Sequence, residues 1–125
     1  MSTSTPPPTT PPTPPAPPTI PLADEIRAAY EDLYDKLETE YQSNPDAAAR
    51  QAIGPVRDNI DDVLTKDDMC RFEEDTVLFK ALLQQIKDTN TGLNTLKSQI
   101  AATASHFKTA GAIVGAITKV LSLIP

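Results

Sequence analysis

Length, composition and charge leave room for one small acidic domain. The chain has 125 residues and a formal net charge of −6, and without its proline-rich N-terminus about one hundred residues remain to build a core. The acidity argues against a nucleic-acid partner, because contacts to phosphates need clustered Lys and Arg. We therefore expect no nucleic acid among the partners.

The charge is unevenly distributed. Residues 20–75 hold 16 acidic and 6 basic residues, whereas residues 76–125 hold one acid, Asp88, and five lysines. This asymmetry predicts that a basic C-terminal helix packs beside acidic helices of the same chain or of a second copy. The alternative is attraction of the C-terminal half to an anionic membrane.

Residues 1–21 form a Ser/Thr/Pro-rich segment with ten of the thirteen prolines. This composition predicts a disordered, extended arm. The segment has neither the basic n-region nor the apolar h-region of a secretory signal, so a cytoplasmic location is the default expectation. Its Ser/Thr/Pro enrichment resembles the export signals of bacterial type III secretion substrates, which keeps non-classical secretion open as an alternative.

Apolar residues recur at spacings of three and four through residues 22–125, which predicts an all-α domain. The first helix is expected at about 22–42, with its acids on the outer faces: Glu31, Asp32, Asp35, Glu38 and Glu40. Asn44 is the expected N-cap of a second helix at about 45–64, which Gly54 and Pro55 should kink or briefly break.

Thr65 and Asp68 resemble a capping box, which predicts that the third helix begins near residue 66. A hydrophobic seven-residue repeat then runs from Phe79 to Ile124 without an insertion or deletion. Counting Phe79 as position a, every a position is apolar, so the repeat indicates a long helix or coiled coil. The predicted helix spans about 66–123.

Residues 88–92 interrupt this helix with poor helix formers and Gly92. Two architectures follow. A continuous helix is favoured because the heptad register is kept across the interruption, which a turn would not require. The alternative is a compact four-helix bundle with a turn near residues 89–92.

The second half of the repeat is the candidate interaction surface, which we call the C-terminal seam. Its segment from Phe107 to Pro125 is free of acids and amphipathic, and Gly111 and Gly115 form a GxxxG pattern that allows close approach of two helices. The seam comprises Leu93, Leu96, Ile100, Phe107, Gly111, Ile113, Val114, Gly115, Ile117, Val120, Leu121 and Ile124.

Catalytic and ligand motifs are missing from the sequence. With one histidine, one cysteine and no tryptophan, no nucleophile, base and orienting group can be assembled, so we expect neither an enzyme nor a cofactor or metal site. His106, beside the seam, is expected to be a partly exposed surface residue, and Cys70 an exposed thiol.

Two functional hypotheses remain. The first is a non-enzymatic helical interaction protein that self-associates, or docks another helical protein, through its C-terminal helix. The second is a membrane-active or secreted effector of the pore-forming kind, whose amphipathic C-terminal segment engages lipid. No apolar run reaches the length of a transmembrane helix.

Overall fold

The structure, a computed structural model, describes residues 20–124. These residues form four α-helices and one short 3₁₀ helix at Ala104–His106, and no β-strand. The α-helices are α1, Asp24–Ser43; α2, Ala47–Phe72; α3, Thr76–Ala102; and α4, Ala110–Leu123. The predicted arm lies outside the described residues, apart from Ile20 and Pro21.

The four helices form a bundle, which confirms the all-α helical class. α1 packs on α2, α2 on α3, α3 on α4, and α4 closes against α1. Short connections make neighbouring helices antiparallel, and contacts agree with this: the start of α1 meets the end of α2 through Leu22 and Asp67, while its end meets the start of α4 through Glu40 and Thr109. The core contains the apolar faces of all four helices.

α2 is longer than the sequence predicted, because the expected break at residues 65–66 does not exist. The helix continues to Phe72, and Asp67, within the expected capping box, is fully buried. Its inward face is Ile60, Val63, Asp67 and Cys70, at spacings of three and four. Cys70 is therefore buried and not exposed, and its burial, with the nearby charge of Asp67, raises the pKa of the thiol.

Pro55 does not break α2 either, since the helix is continuous from Ala47 to Phe72. Its first residues are capped by Asp46, whose side chain accepts from the backbone N–H groups of Ala48 and Ala49. Asn44, the expected N-cap, instead accepts from the N–H of Asp46 at 2.8 Å. The real boundary between α2 and α3 is at residues 73–75, where Asp75 accepts from the N–H of Val77.

α3 passes through residues 89–92 without a turn, so the alternative hairpin at this point was wrong. The poor helix formers of this stretch make hydrogen bonds to other helices. Tyr30 donates to Asn90 Oδ1 at 2.9 Å, and Thr89 donates to the carbonyl of Asn59 at 3.4 Å. Yet α3 ends at Ala102, so the expected single helix to residue 123 was also wrong.

A buried carboxylate fixes the start of α1 against the end of α2. Asp67 accepts from the backbone N–H of Leu22 at 2.7 Å and from the guanidinium groups of Arg27 and Arg71. Burial alone would lower the pKa of Arg27, but its hydrogen bonds to Asp67, Glu31 and Asp68 raise it overall. Arg71 also donates to the carbonyl of Leu22.

Candidate functional site

The break between α3 and α4 lies where the sequence contains no helix breaker. Residues 103–109, which we call the joint, read Thr-Ala-Ser-His-Phe-Lys-Thr and contain neither Gly nor Pro. They nevertheless leave the α-helix and form only a 3₁₀ turn at Ala104–His106. Five of these seven residues, Thr103, Ser105, His106, Phe107 and Thr109, are only moderate to poor helix formers. None of them prevents a helix, so we infer that tertiary contacts determine where the break falls.

The first of these contacts comes from Glu40, near the end of α1. Its fully buried carboxylate accepts the backbone N–H groups of Lys108 and Thr109, the latter at 3.3 Å, and lies 3.5 Å from the Thr109 hydroxyl. α4 has no side-chain cap from its own N-cap residue, Thr109. Glu40 thus places a negative charge at the positive end of α4, where the helix dipole favours it.

Two further residues hold the joint from the α1–α2 connection. The Asn44 side-chain amide donates to the carbonyl of His106 at 2.8 Å, and His106 Nδ1 lies 2.6 Å from Asp46 Oδ2. The hydrogen bond to His106, with those to the α2 backbone, lowers the pKa of the Asp46 carboxyl. We call Glu40, Asn44 and Asp46, with the joint groups they contact, the clasp.

The clasp was not predicted from the sequence. Glu40 was expected on the outer face of α1, but Leu33, Leu37 and Glu40 are all fully buried. Their spacing of four and three was the available signal, because it places this one acid on the apolar stripe. The partner of Glu40 could not be read from the sequence, since it lies 68 residues away.

α4 packs on a different face from the one its heptad positions predict. In α3 the buried side chains Leu82, Ile86, Leu93, Leu96 and Ile100 occupy a and d positions. In α4 the buried residues are Ile113, Ala116, Ile117 and Val120, whereas the a-position residues Val114 and Leu121 are half-buried. The joint therefore rotates α4 relative to the continuous seam.

Most of the C-terminal seam lies within the bundle. Val114 and Leu121 are half-buried, while Gly111 and Gly115 are exposed. The remaining seam residues are buried: Leu93, Leu96, Ile100, Phe107, Ile113, Ile117, Val120 and Ile124. In this conformation, a partner could reach the buried side chains only if α4 left the groove formed by α1 and α3.

The two glycines of the GxxxG pattern face open space. A Cβ atom built on Gly111 or Gly115 would meet nothing within 4 Å, and neither residue has a positive φ. None of the helices within residues 20–124 packs against these glycines, because α1 and α3 contact α4 on its other side.

Residues 20–124 contain no cluster of three or more His, Cys, Asp or Glu side chains able to hold a metal ion. A cavity of about 570 Å³ lies between α3 and the end of α4, and its lining includes Ile86, Lys87, Asn90, Leu121 and Ile124. Among the described helices, none has the length and apolar character needed to cross a membrane.

Comparisons of the chain with protein-family models, with curated proteins and with solved structures find no match.

Proposed function

We propose that the protein is a non-enzymatic helical interaction protein that self-associates by exchanging α4 between copies. The observation that carries this proposal is the joint, which breaks a helix although its sequence contains no breaker. Straightening residues 103–109 would join α3 and α4 into one helix, and the unbroken heptad register requires no insertion or deletion for this.

A straightened joint would leave two apolar surfaces uncovered. One is the buried face of α4, with Ile113, Ile117 and Val120. The other is the groove on α1 and α3 that α4 occupies. Because exposed apolar stripes of this extent are unusual on soluble monomers, each surface needs a partner. A second copy supplies both, and exchange of an identical element recreates the same contacts between protomers.

The clasp sets the balance between the closed monomer and the exchanged dimer. Within one chain, α4 is held near its groove at high effective concentration, which favours closure. In the exchanged dimer, the helical joint would lose the contacts of Glu40 with the backbone N–H groups of Lys108 and Thr109 and those of Asn44 and Asp46 with His106. It would gain backbone hydrogen bonds within the helix. We therefore expect a monomer at low protein concentration and a dimer at high concentration.

The experiment is to weaken helix formation in the joint alone. The double variant Ala104→Gly/Ser105→Gly lowers helix propensity in the joint, by about 1 kcal/mol at Ala104 and by about half of that at Ser105. The substitutions should destabilise a helical joint more than the 3₁₀ turn, and each dimer contains two helical joints. Analytical ultracentrifugation should therefore show at least a tenfold weaker dimer.

Ala101→Gly/Ala102→Gly is the matched control. Both residues are exposed and lie at the end of α3, which is helical in either arrangement, so this variant should change dimerisation much less. A wild-type protein that stays monomeric at every concentration reached would contradict the proposal, as would equal effects of the two double variants.

A second candidate function, binding of the released α4 to an anionic membrane, is favoured by the charge of this helix. α4 contains no acid, and its one charged residue, Lys119, is exposed opposite the apolar face. Such a helix can lie in the surface of a bilayer. Cosedimentation with phosphatidylserine vesicles tests this candidate, with Lys119→Glu, outside the joint, expected to weaken vesicle binding but to leave dimerisation unchanged.

A further inference from the structure

The opposite end of the bundle carries an exposed apolar surface. α2 has 26 residues, so its last residue lies about 38 Å from its first, far from the clasp. Among residues 20–124, the large apolar side chains that are exposed all lie here: Met69 at 46%, Phe72 at 91% and Val77 at 73%. With the half-buried Leu78 they form a surface that we call the Phe72 corner.

Phe72 contributes almost no apolar burial to the fold. It is the last residue of α2, and it lies on the side away from the inward-facing Asp67 and Cys70. Glu73 then leaves the helix in an extended conformation, and Asp75 caps α3. Met69, Phe72, Glu73 and Leu78 line a shallow depression of about 160 Å³. This depression is large enough for an apolar side chain of a partner.

Acidic residues surround this apolar surface. Asp68, Glu73, Glu74 and Asp75 are all exposed. Asp68 pairs with Arg27, but within residues 20–124 Glu73 and Glu74 form no salt bridge. The closest cation in sequence, Arg71, is bound to Asp67 and to the carbonyl of Leu22. The rim therefore keeps unneutralised negative charge.

We propose that the Phe72 corner docks a segment of another protein in which an apolar side chain is flanked by Lys or Arg. The apolar side chain would enter the depression beside Phe72, and the basic residues would face Glu73 and Glu74. Aromatic anchors with a charged rim are typical of protein interfaces. The rim would speed association and select partners by charge.

Charge also argues against two other occupants of the Phe72 corner, an anionic bilayer and the same corner of a second copy. An anionic bilayer would be repelled by the rim. A symmetric contact between two copies would place the same acidic corner against itself, because a two-fold interface pairs identical surfaces. This site is independent of the exchange of α4, since the corner lies at the other end of α2 and α3.

The experiment uses the full chain, labelled with ¹⁵N, and two short amphipathic helical peptides of matched apolar pattern. One peptide carries Lys on its polar face and the other carries Glu. The Lys peptide should shift the backbone amide signals of residues 68–78, and the Glu peptide should not. Phe72→Ser should weaken binding of the Lys peptide at least fivefold, the loss expected for an aromatic anchor, without lowering the thermal unfolding midpoint.

Charge-reversal variants provide the control. Glu73→Lys/Glu74→Lys should weaken binding of the Lys peptide, whereas Asp61→Lys/Asp62→Lys, at exposed acids elsewhere on α2, should have a much smaller effect. Equal losses in both variants would mean non-specific attraction and would overturn the proposal. A fall in dimer mass on Phe72→Ser would also overturn it, because the corner would then be a contact between copies.

Discussion

The buried carboxylate of Glu40 on α1 accepts the backbone N–H of Thr109 at 3.3 Å and thereby caps α4 from another helix. The first helix of the bundle therefore determines where the last helix begins. The joint contains neither Gly nor Pro, so its break depends on this contact together with those of Asn44 and Asp46 with His106.

Glu40→Gln should lower the free energy of unfolding by about 1–3 kcal/mol, because it places an uncharged amide where a buried carboxylate accepted two backbone N–H groups. Chemical denaturation measures this loss. Glu25→Gln removes the same charge from an exposed position on the same helix and should change stability by less than about 0.5 kcal/mol. Equal effects would mean that the capping contact does not contribute.

Asp67→Asn should destabilise the fold by about 2–4 kcal/mol, since it disrupts the hydrogen bonds to Leu22, Arg27 and Arg71. The loss should fall short of that for a fully buried ion pair, because both arginines are partly exposed. Asp68→Asn, which affects only an exposed carboxylate paired with Arg27, should cost at most about 1 kcal/mol. Urea titration of both variants checks the order.

Gly92→Ala should stabilise the protein by about 0.5–1 kcal/mol. The new Cβ would lie 3.9 Å from Asn59 and Val56, an ordinary contact distance, within a continuous α3. Gly54→Ala should gain less, because its Cβ would lie 3.4 Å from the Tyr41 ring. Thermal unfolding of the two variants tests this difference, and a loss of stability in Gly92→Ala would contradict the packing at this position.

Asp46 should make stability depend on pH in the acidic range. Its pKa is lowered in the folded protein from an ordinary value of 3.8, so its contribution is complete above that value and is lost as the pH falls through the lower folded pKa. Asp46→Asn can still cap α2 but loses the charge beside His106. The stability difference between wild type and this variant should therefore shrink below about pH 4. A difference that is constant from neutral pH to the acid limit would refute this assignment.

The Gly115→Leu variant distinguishes two modes of dimerisation: exchange of α4 between copies, and packing of two α4 helices on the face that carries Gly111 and Gly115. The glycine is exposed, and a Cβ there meets nothing within 4 Å, so leucine should raise stability by about 0.5–1 kcal/mol through helix propensity. Dimerisation by exchange should persist, because the buried face of α4 is unchanged. Loss of the dimer in sedimentation would instead favour close helix packing on the GxxxG surface.

The sequence by itself determined the helical class and most of the inward faces. The three- and four-residue spacing was sufficient, because a helix must bury its apolar stripe. It is seen in Tyr30, Leu33 and Leu37 of α1 and in Ile53, Val56 and Ile60 of α2. The heptad register likewise indicated that α3 continues through Gly92 despite the poor helix formers around it. These features depend on neighbours within one helical turn or a few turns.

Only the tertiary structure decided where the helices end. The capping pattern at Thr65 does not start a helix, because Asp67 and Cys70 are buried in a longer α2. The helix is interrupted at the joint because residues of α1 and of the α1–α2 connection bind the joint's backbone. Helix ends leave unpaired N–H and C=O groups, and a partner far away in the sequence can satisfy them as well as a local one. The position of the joint therefore depends on Glu40 and Asn44, whose contacts form only when the bundle closes. The burial of the C-terminal seam depends on the same two residues.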